Sequence, residues 1–275
     1  MPSVRRIKMF KKIIWPILSF LSISLAIVFI FGFIFSINID KGTQEDFIEP
    51  IEGEDNSLET NNESSENERD GLQILVLGDS IGFGVGDKSN KGIGIRYKEL
   101  INKEEIKDVA VTNLSVPGYE SGDLLTFLES KQNNSLISKA DIIIISIGGN
   151  DLNNIEYEDT LSLDVNFKET IKSYKENLQD VINIVRNLNE SAQLAIIGLY
   201  DPYSQEEPQK TRLLLEWNYE TRLIAYLNYD IAYIPTYELF KYHLDSYLSE
   251  DEFHPSSDGY QAITQELFNI LNGIY

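Results

Sequence analysis

Cysteine is absent from the 275 residues, which excludes disulfides, thiolate metal sites and cysteine nucleophiles. Histidine is nearly absent: only His243 and His254 occur. A histidine-rich metal cluster is therefore excluded, and any reaction that needs an imidazole has two candidates. Positive charge is also scarce, with 23 Lys and Arg against 44 Asp and Glu and a formal net charge of −21. That charge is unevenly placed: residues 1–37 carry +5, residues 38–71 carry −10, and the remainder therefore −16. A region so acidic, with no basic stripe, repels phosphate backbones. Nucleic acid is not an expected partner.

What the chain does contain begins with a long apolar run. Residues 13–37, IIWPILSFLSISLAIVFIFGFIFSI, hold no charge, and at ~1.5 Å per residue a helix of that length crosses a ~30 Å hydrocarbon core. A cleaved signal peptide has a shorter apolar region, ~7–15 residues, with small residues at its cleavage site. FSINIDKG matches that pattern poorly, so an uncleaved membrane anchor is expected. The basic segment 1–12 then lies in the cytoplasm and everything after the anchor outside. Residues 38–71 are acidic, rich in Asn and Ser and almost free of aromatics. Such a segment buries too little apolar surface to offset its ordering entropy and reads as a disordered tether.

From Leu72 to the end the pattern alternates. Short aliphatic runs appear at ILVLG (74–78), VAVTN (109–113), DIIIISIG (141–148), LAIIGL (194–199) and DIAYIP (230–235). Between them lie segments with helical spacing, clearest in 165–188 and in the last stretch, 256–274, which Ser256 or Ser257 would cap. Aliphatic runs without polar alternation imply strands buried on both faces. Alternation with helices then implies a parallel sheet in a three-layer α/β/α sandwich.

In such sheets ligands bind where the strands end. The first strand runs into ILVLGDSIGFGVGD (74–87). A dinucleotide fingerprint needs a third glycine after Gly82 and Gly84, but position 87 is Asp, and no Gly-Lys-Ser/Thr marks a phosphate loop. Taken alone, Asp79-Ser80 reads more readily as a helix cap than as a nucleophile turn, Asn150-Asp151 reads as a turn pair, and His254 could be a structural hydrogen-bonder. Their joint occurrence at one sheet edge favours acyl transfer. A serine hydroxyl needs a neighbouring base, which His254 supplies. The imidazole needs an orienting acceptor, and Asp251 is three residues away. An oxyanion needs preorganised donors: the amides of Ser80 and Gly118 and the side-chain amide of Asn150. His243, without an acid at −3, is expected to be a partly buried bystander.

At these residues the chain resembles the SGNH, or GDSL, hydrolase family. LGDSIGFGVGD, NLSVPGYES, IGGND and DEFHP are similar to its four blocks, in order, and GGNDL, GLYDPY and HPSSDGY resemble its bacterial lysophospholipase/thioesterase-like branch. The resemblance covers 72–275, with Ile81 where the nickname has leucine. It implies a flavodoxin-like fold with a five-stranded parallel sheet and ester hydrolysis without cofactor or metal. Ser80, His254 and Asp251 would be catalytic, with Ser80, Gly118 and Asn150 as the oxyanion hole. The expected partners are an acyl-ester substrate, lysophospholipid-like or small, and the membrane through the anchor. One alternative is O-acetyl ester hydrolysis on cell-wall glycan, with sugars stacking on the aromatic-rich loops GLYDPYSQEEP and WNYETRLIAYLNY, although core packing is the favoured reading of those rings. Another is a catalytically inactive binding module.

Overall fold

Five aliphatic runs form five parallel strands. In the computed structural model, which describes residues 71–102, 108–203 and 207–273, these are β1 (Leu72–Gly78), β2 (Val109–Asn113), β3 (Ile142–Ser146), β4 (Gln193–Ile197) and β5 (Ile231–Ile234). They lie in the order β2-β1-β3-β4-β5. Ile74 pairs with both Val111 and Ile142, and Ile142 with Gln193, so the central ladder is continuous. The expected basic N-terminus (1–12), anchor (13–37) and tether (38–71, Gly71 excepted) lie outside the described residues. Among the described residues no helix is long and apolar enough to cross a membrane.

The two faces of the sheet divide the core by the period-two pleat. Leu75, Leu77, Ile143, Ile145, Leu194 and Ile196 point to one side. Ile74, Val76, Ile142, Ile144, Ala195 and Ile197 point to the other. Helices α3 (Ser121–Glu129), α4 (Asn134–Lys139), α6 (Thr160–Leu188) and α7 (Pro208–Leu227) cover the first side. Helices α2 (Gly92–Asn102), α8 (Tyr237–Lys241) and α10 (Ser257–Asn272) cover the second. The short helices α1 (Ser80–Phe83), α5 (Gly149–Asn153) and α9 (Leu244–Tyr247) complete the elements of the described residues. The three-layer α/β fold expected from the pattern is the fold observed.

Two local expectations need correction. WNYETRLIAYL is not a loop but most of α7, because Leu213, Leu214, Trp217, Thr221 and Ile224 recur at helical spacing and are buried. Pro208 starts that helix, where its missing N–H costs nothing. The tyrosines between those positions masked the apolar stripe. His243 is exposed rather than partly buried; its ring lies 5.0 Å from that of Tyr247 at the start of α9.

Candidate active site

The serine is delivered by the sheet. Asp79 follows β1 directly and caps α1, its carboxylate accepting from the Ile81 amide at 2.9 Å. Ser80 is the first residue of that helix and is buried except for 8 % of its surface. The Gly-Asp-Ser segment is thus a helix cap and a serine-presenting turn at once. Backbone bonds lock it: Asp79 N donates to Ser146 O and Val116 N to Gly78 O, both at 2.9 Å. Burial of the Asp79 carboxyl pushes its pKa up to about 6, only partly offset by the Ile81 amide and the Ser146 hydroxyl.

The histidine comes from the turn between α9 and α10. His254 Nε2 lies 2.9 Å from Ser80 Oγ. On its other side Nδ1 lies 2.7 Å from Asp251 Oδ2. The Asp251 carboxylate also accepts from Ser249 Oγ and from the amides of Phe253 and His254, at 2.7, 3.0 and 2.9 Å. Burial opposes its charge, but His254, Ser249 and those amides outweigh burial and hold it well below the ordinary carboxylate range. A permanent carboxylate on Nδ1 favours the tautomer with Nδ1–H, which leaves Nε2 free to accept a proton.

Two of the candidate donor groups lie after two more strand ends. Asn150, in α5 after β3, lines the same cavity as Ser80. Its Nδ2 donates to Tyr119 O at 2.8 Å, and an amide has a second N–H to give. Gly118 follows β2 with φ +89 and open space where a side chain would stand. Asn150 therefore grips the residue next to Gly118, while Val116 ties the same loop to β1. The oxyanion candidates are held by one connected set of bonds.

Residues that sequence reasoning passed over fasten this set. Asp151 does not form a turn pair with Asn150. It accepts from the Ser121 amide at 3.0 Å and from the Ser121 hydroxyl, so it binds the third block to the helix after the second. Asp87, read only as an obstacle to phosphate, is a hub. It accepts from Arg96 Nη2 at 3.0 Å, from Ser257 Oγ at 2.7 Å and from the Ser89, Lys91 and Gly92 amides. Gly86, at φ +88, is the point of closest approach: a Cβ there would stand 2.6 Å from Pro255 O and 3.0 Å from His254 Cβ. The loop after α1 is thus packed against the His254 turn. Among the described residues no group of three or more His, Asp or Glu is arranged to hold a metal ion.

A cavity of about 70 Å³ opens beside Ser80 and Asn150 and runs between Leu152, Ile155, Leu199 and Leu213. The aromatic expectation divides here. Tyr200 is buried and stacked on Phe240 at 4.1 Å, and Trp217 is fully buried. Tyr219, Tyr226 and Tyr229 are instead exposed on and just after α7.

Comparison with known proteins places these features in a context. A model of the GDSL-like lipase/acylhydrolase family matches residues 76–262. YpmR of Bacillus subtilis (strain 168), an uncharacterized protein, is 32 % identical over 209 residues, covering 73 % of this chain and 81 % of its own. The spore germination lipase LipC of Bacillus licheniformis is 27 % identical over 202 residues, covering 71 % of this chain and 94 % of LipC. The crystal structure of lipase Lip_vut3 from a goat rumen metagenome matches with TM-score 0.61 and 27 % identity, over 72 % of this chain and 97 % of that one.

Proposed function

This chain belongs to the GDSL-like lipase/acylhydrolase family and is a carboxylic ester hydrolase; we propose that it works through Ser80, His254 and Asp251. The hydrogen-bonded row from Ser80 Oγ through the imidazole to Asp251 carries this reading. Ser80 Oγ attacks the acyl carbon as its proton passes to His254 Nε2. The imidazolium keeps its Nδ1–H on Asp251. The oxyanion is received by the amides of Ser80 and Gly118 and by Asn150 Nδ2. Collapse sends the His254 proton to the leaving alkoxide, which departs as the alcohol. Water, deprotonated by the same imidazole, then hydrolyses the acyl-serine ester and restores the hydroxyl.

The apolar cavity wall supports a substrate whose acyl group is hydrocarbon, and the likeness to the lipase LipC supports lipid-like esters. The apolar run 13–37 supports an enzyme tethered outside the membrane by residues 38–71. The full chain should hydrolyse short p-nitrophenyl esters and Ser80→Ala should not; a variant that keeps full activity would overturn the assignment. Protease added to spheroplasts should reach the domain, and protection would contradict its outside location. Tyr203, in GLYDPYSQEEP and partly exposed on the cavity wall, favours a second reading, O-acetyl ester hydrolysis on cell-wall glycan. Acetate release from wall fragments, with no action on lysolipids, would establish it in place of the first.

A further inference from the structure

A row of rings leads from the His254 imidazole to one wall of the cavity. Phe253 meets that ring edge-on at 5.0 Å between centroids, and Tyr203 lies 6.2 Å beyond Phe253. Lys210 Nζ then stands 5.8 Å from the Tyr203 centroid and 5.7 Å from that of a second tyrosine, Tyr157. Phe253, Tyr203, Tyr157 and Lys210 all line the cavity that opens at Ser80. The tyrosines belong to different loops, one after α5 and one after β4, and Lys210 in the first turn of α7 fastens them together. Glu207, 2.9 Å from Nζ, holds the ammonium in place.

Each link in this bar is weak, because Tyr157 is 44 % and Tyr203 36 % exposed and cation–π contacts in water contribute little. Its position matters more than its strength. Two tyrosine rings and a lysine stem line the part of the cavity reached from the catalytic histidine by way of Phe253 and Tyr203. The volume, about 70 Å³, takes roughly five to seven water-sized groups at ~10–15 Å³ each, the size of a short acyl chain.

We infer that the Tyr157–Lys210–Tyr203 bar sets the length of acyl chain this esterase accepts. The inference rests on the proposed Ser80 mechanism and deepens it. Short chains fit between Ser80 and the bar, whereas longer ones must displace it. Removing a side chain from the bar extends the cavity, and each further methylene then buried raises kcat/KM by about fourfold.

The test is a p-nitrophenyl ester series from two to sixteen carbons, hydrolysed by the full chain and by its Lys210→Ala and Tyr157→Ala variants. The wild type should peak at short chains. In both variants the ratio of twelve- to four-carbon kcat/KM should rise by about tenfold or more. An unchanged ratio in both variants, or a wild type already preferring the longest chains, would overturn the inference. Ser80→Ala run alongside separates the two claims: residual full activity there would sink the mechanism, whereas an unchanged ratio with activity abolished by Ser80→Ala would sink only the bar.

Discussion

The two turns that meet at the active site are built differently. The Ser80 turn is an extension of the sheet: it is buried, anchored to β3 and to the loop after β2 by backbone bonds, and capped by a carboxylate that is itself buried. The His254 turn lies at the rim and holds itself together. Ser249 N donates to His254 O at 2.8 Å, and Ser256 N to Tyr247 O at 2.7 Å. Its external brace is the loop carrying Gly86 and Asp87. Asp79 and Asp251 show the consequence. Both accept from backbone amides and a serine hydroxyl, yet burial raises the pKa of Asp79 while the imidazole and its other donors lower that of Asp251. A strand end can position a serine by burying its neighbours, but the carboxylate that orients an imidazole must stay charged and therefore sits nearer water.

The comparison is broken most severely at its meeting point. His254→Ala removes the proposed base and should lower kcat by about 10⁶-fold, as loss of one member of such a unit does. Ester hydrolysis within a hundredfold of wild type would mean that another group accepts the serine proton.

Breaking the brace comes next. Asp87→Ala leaves the Arg96 guanidinium, whose side chain is 9 % exposed, without its carboxylate, and loss of one partner in a buried pair costs about 3–5 kcal/mol. Urea unfolding measures this, and a loss below ~1 kcal/mol would show that the pair is not stabilising. The pH dependence has a definite sign. The Asp87 pKa lies below its unfolded value because Ser257, Arg96 and Ser89 outweigh burial, so its contribution is present above ~3.9 and is lost as pH falls through the acid range. Asp87→Asn should flatten that acid limb.

Asn150→Ala removes one proposed oxyanion donor and should lower kcat by about 10²–10³-fold. Because Asn150 also grips Tyr119 O, Asn150→Asp is the sharper variant: it retains the size, loses both donors and adds a like charge, and should be at least as damaging. Activity above a tenth of wild type in both would remove Asn150 from the oxyanion hole.

The smallest effect is at Asp79. Burial holds its folded pKa at about 6, above the ordinary carboxyl value of 3.8. The folded protein therefore holds a proton that the unfolded chain releases, so stability falls as pH rises from about 4 to 6 and the penalty is complete above that. Asp79→Asn keeps a capping oxygen without the charge. It should be more stable than wild type at pH 8, by at most about 3 kcal/mol at ~1.4 kcal/mol per pKa unit. A variant less stable than wild type would show that the charge is needed by the cap.

The fold was legible because the central strands β1, β3 and β4, buried on both faces along most of their length, read as aliphatic runs in a chain that otherwise alternates with helices. The edge strands β2 and β5 are only partly buried, against the expectation of burial on both faces. Much of the site was legible for a related reason: Ser80, Asn150 and His254 each lie within a short block at a sheet edge, and Asp251 reaches His254 within one turn. What stayed hidden depends on distance along the chain. Asp87 reaches Ser257 across 170 positions, Asp151 reaches Ser121 across 30, and the Tyr157–Lys210–Tyr203 bar joins three elements. No local pattern announces such partners. In α7 the spacing was present but crowded by tyrosines, and a helix passed for a loop.

The central claim is that Ser80 is a nucleophile activated by His254. Treating the folded full chain with a fluorophosphonate and mapping the modified peptide tests it most directly. The account predicts one adduct, on Ser80, formed far more slowly in His254→Ala. An enzyme that hydrolyses esters but carries no adduct on Ser80, or carries it on another residue, would contradict it.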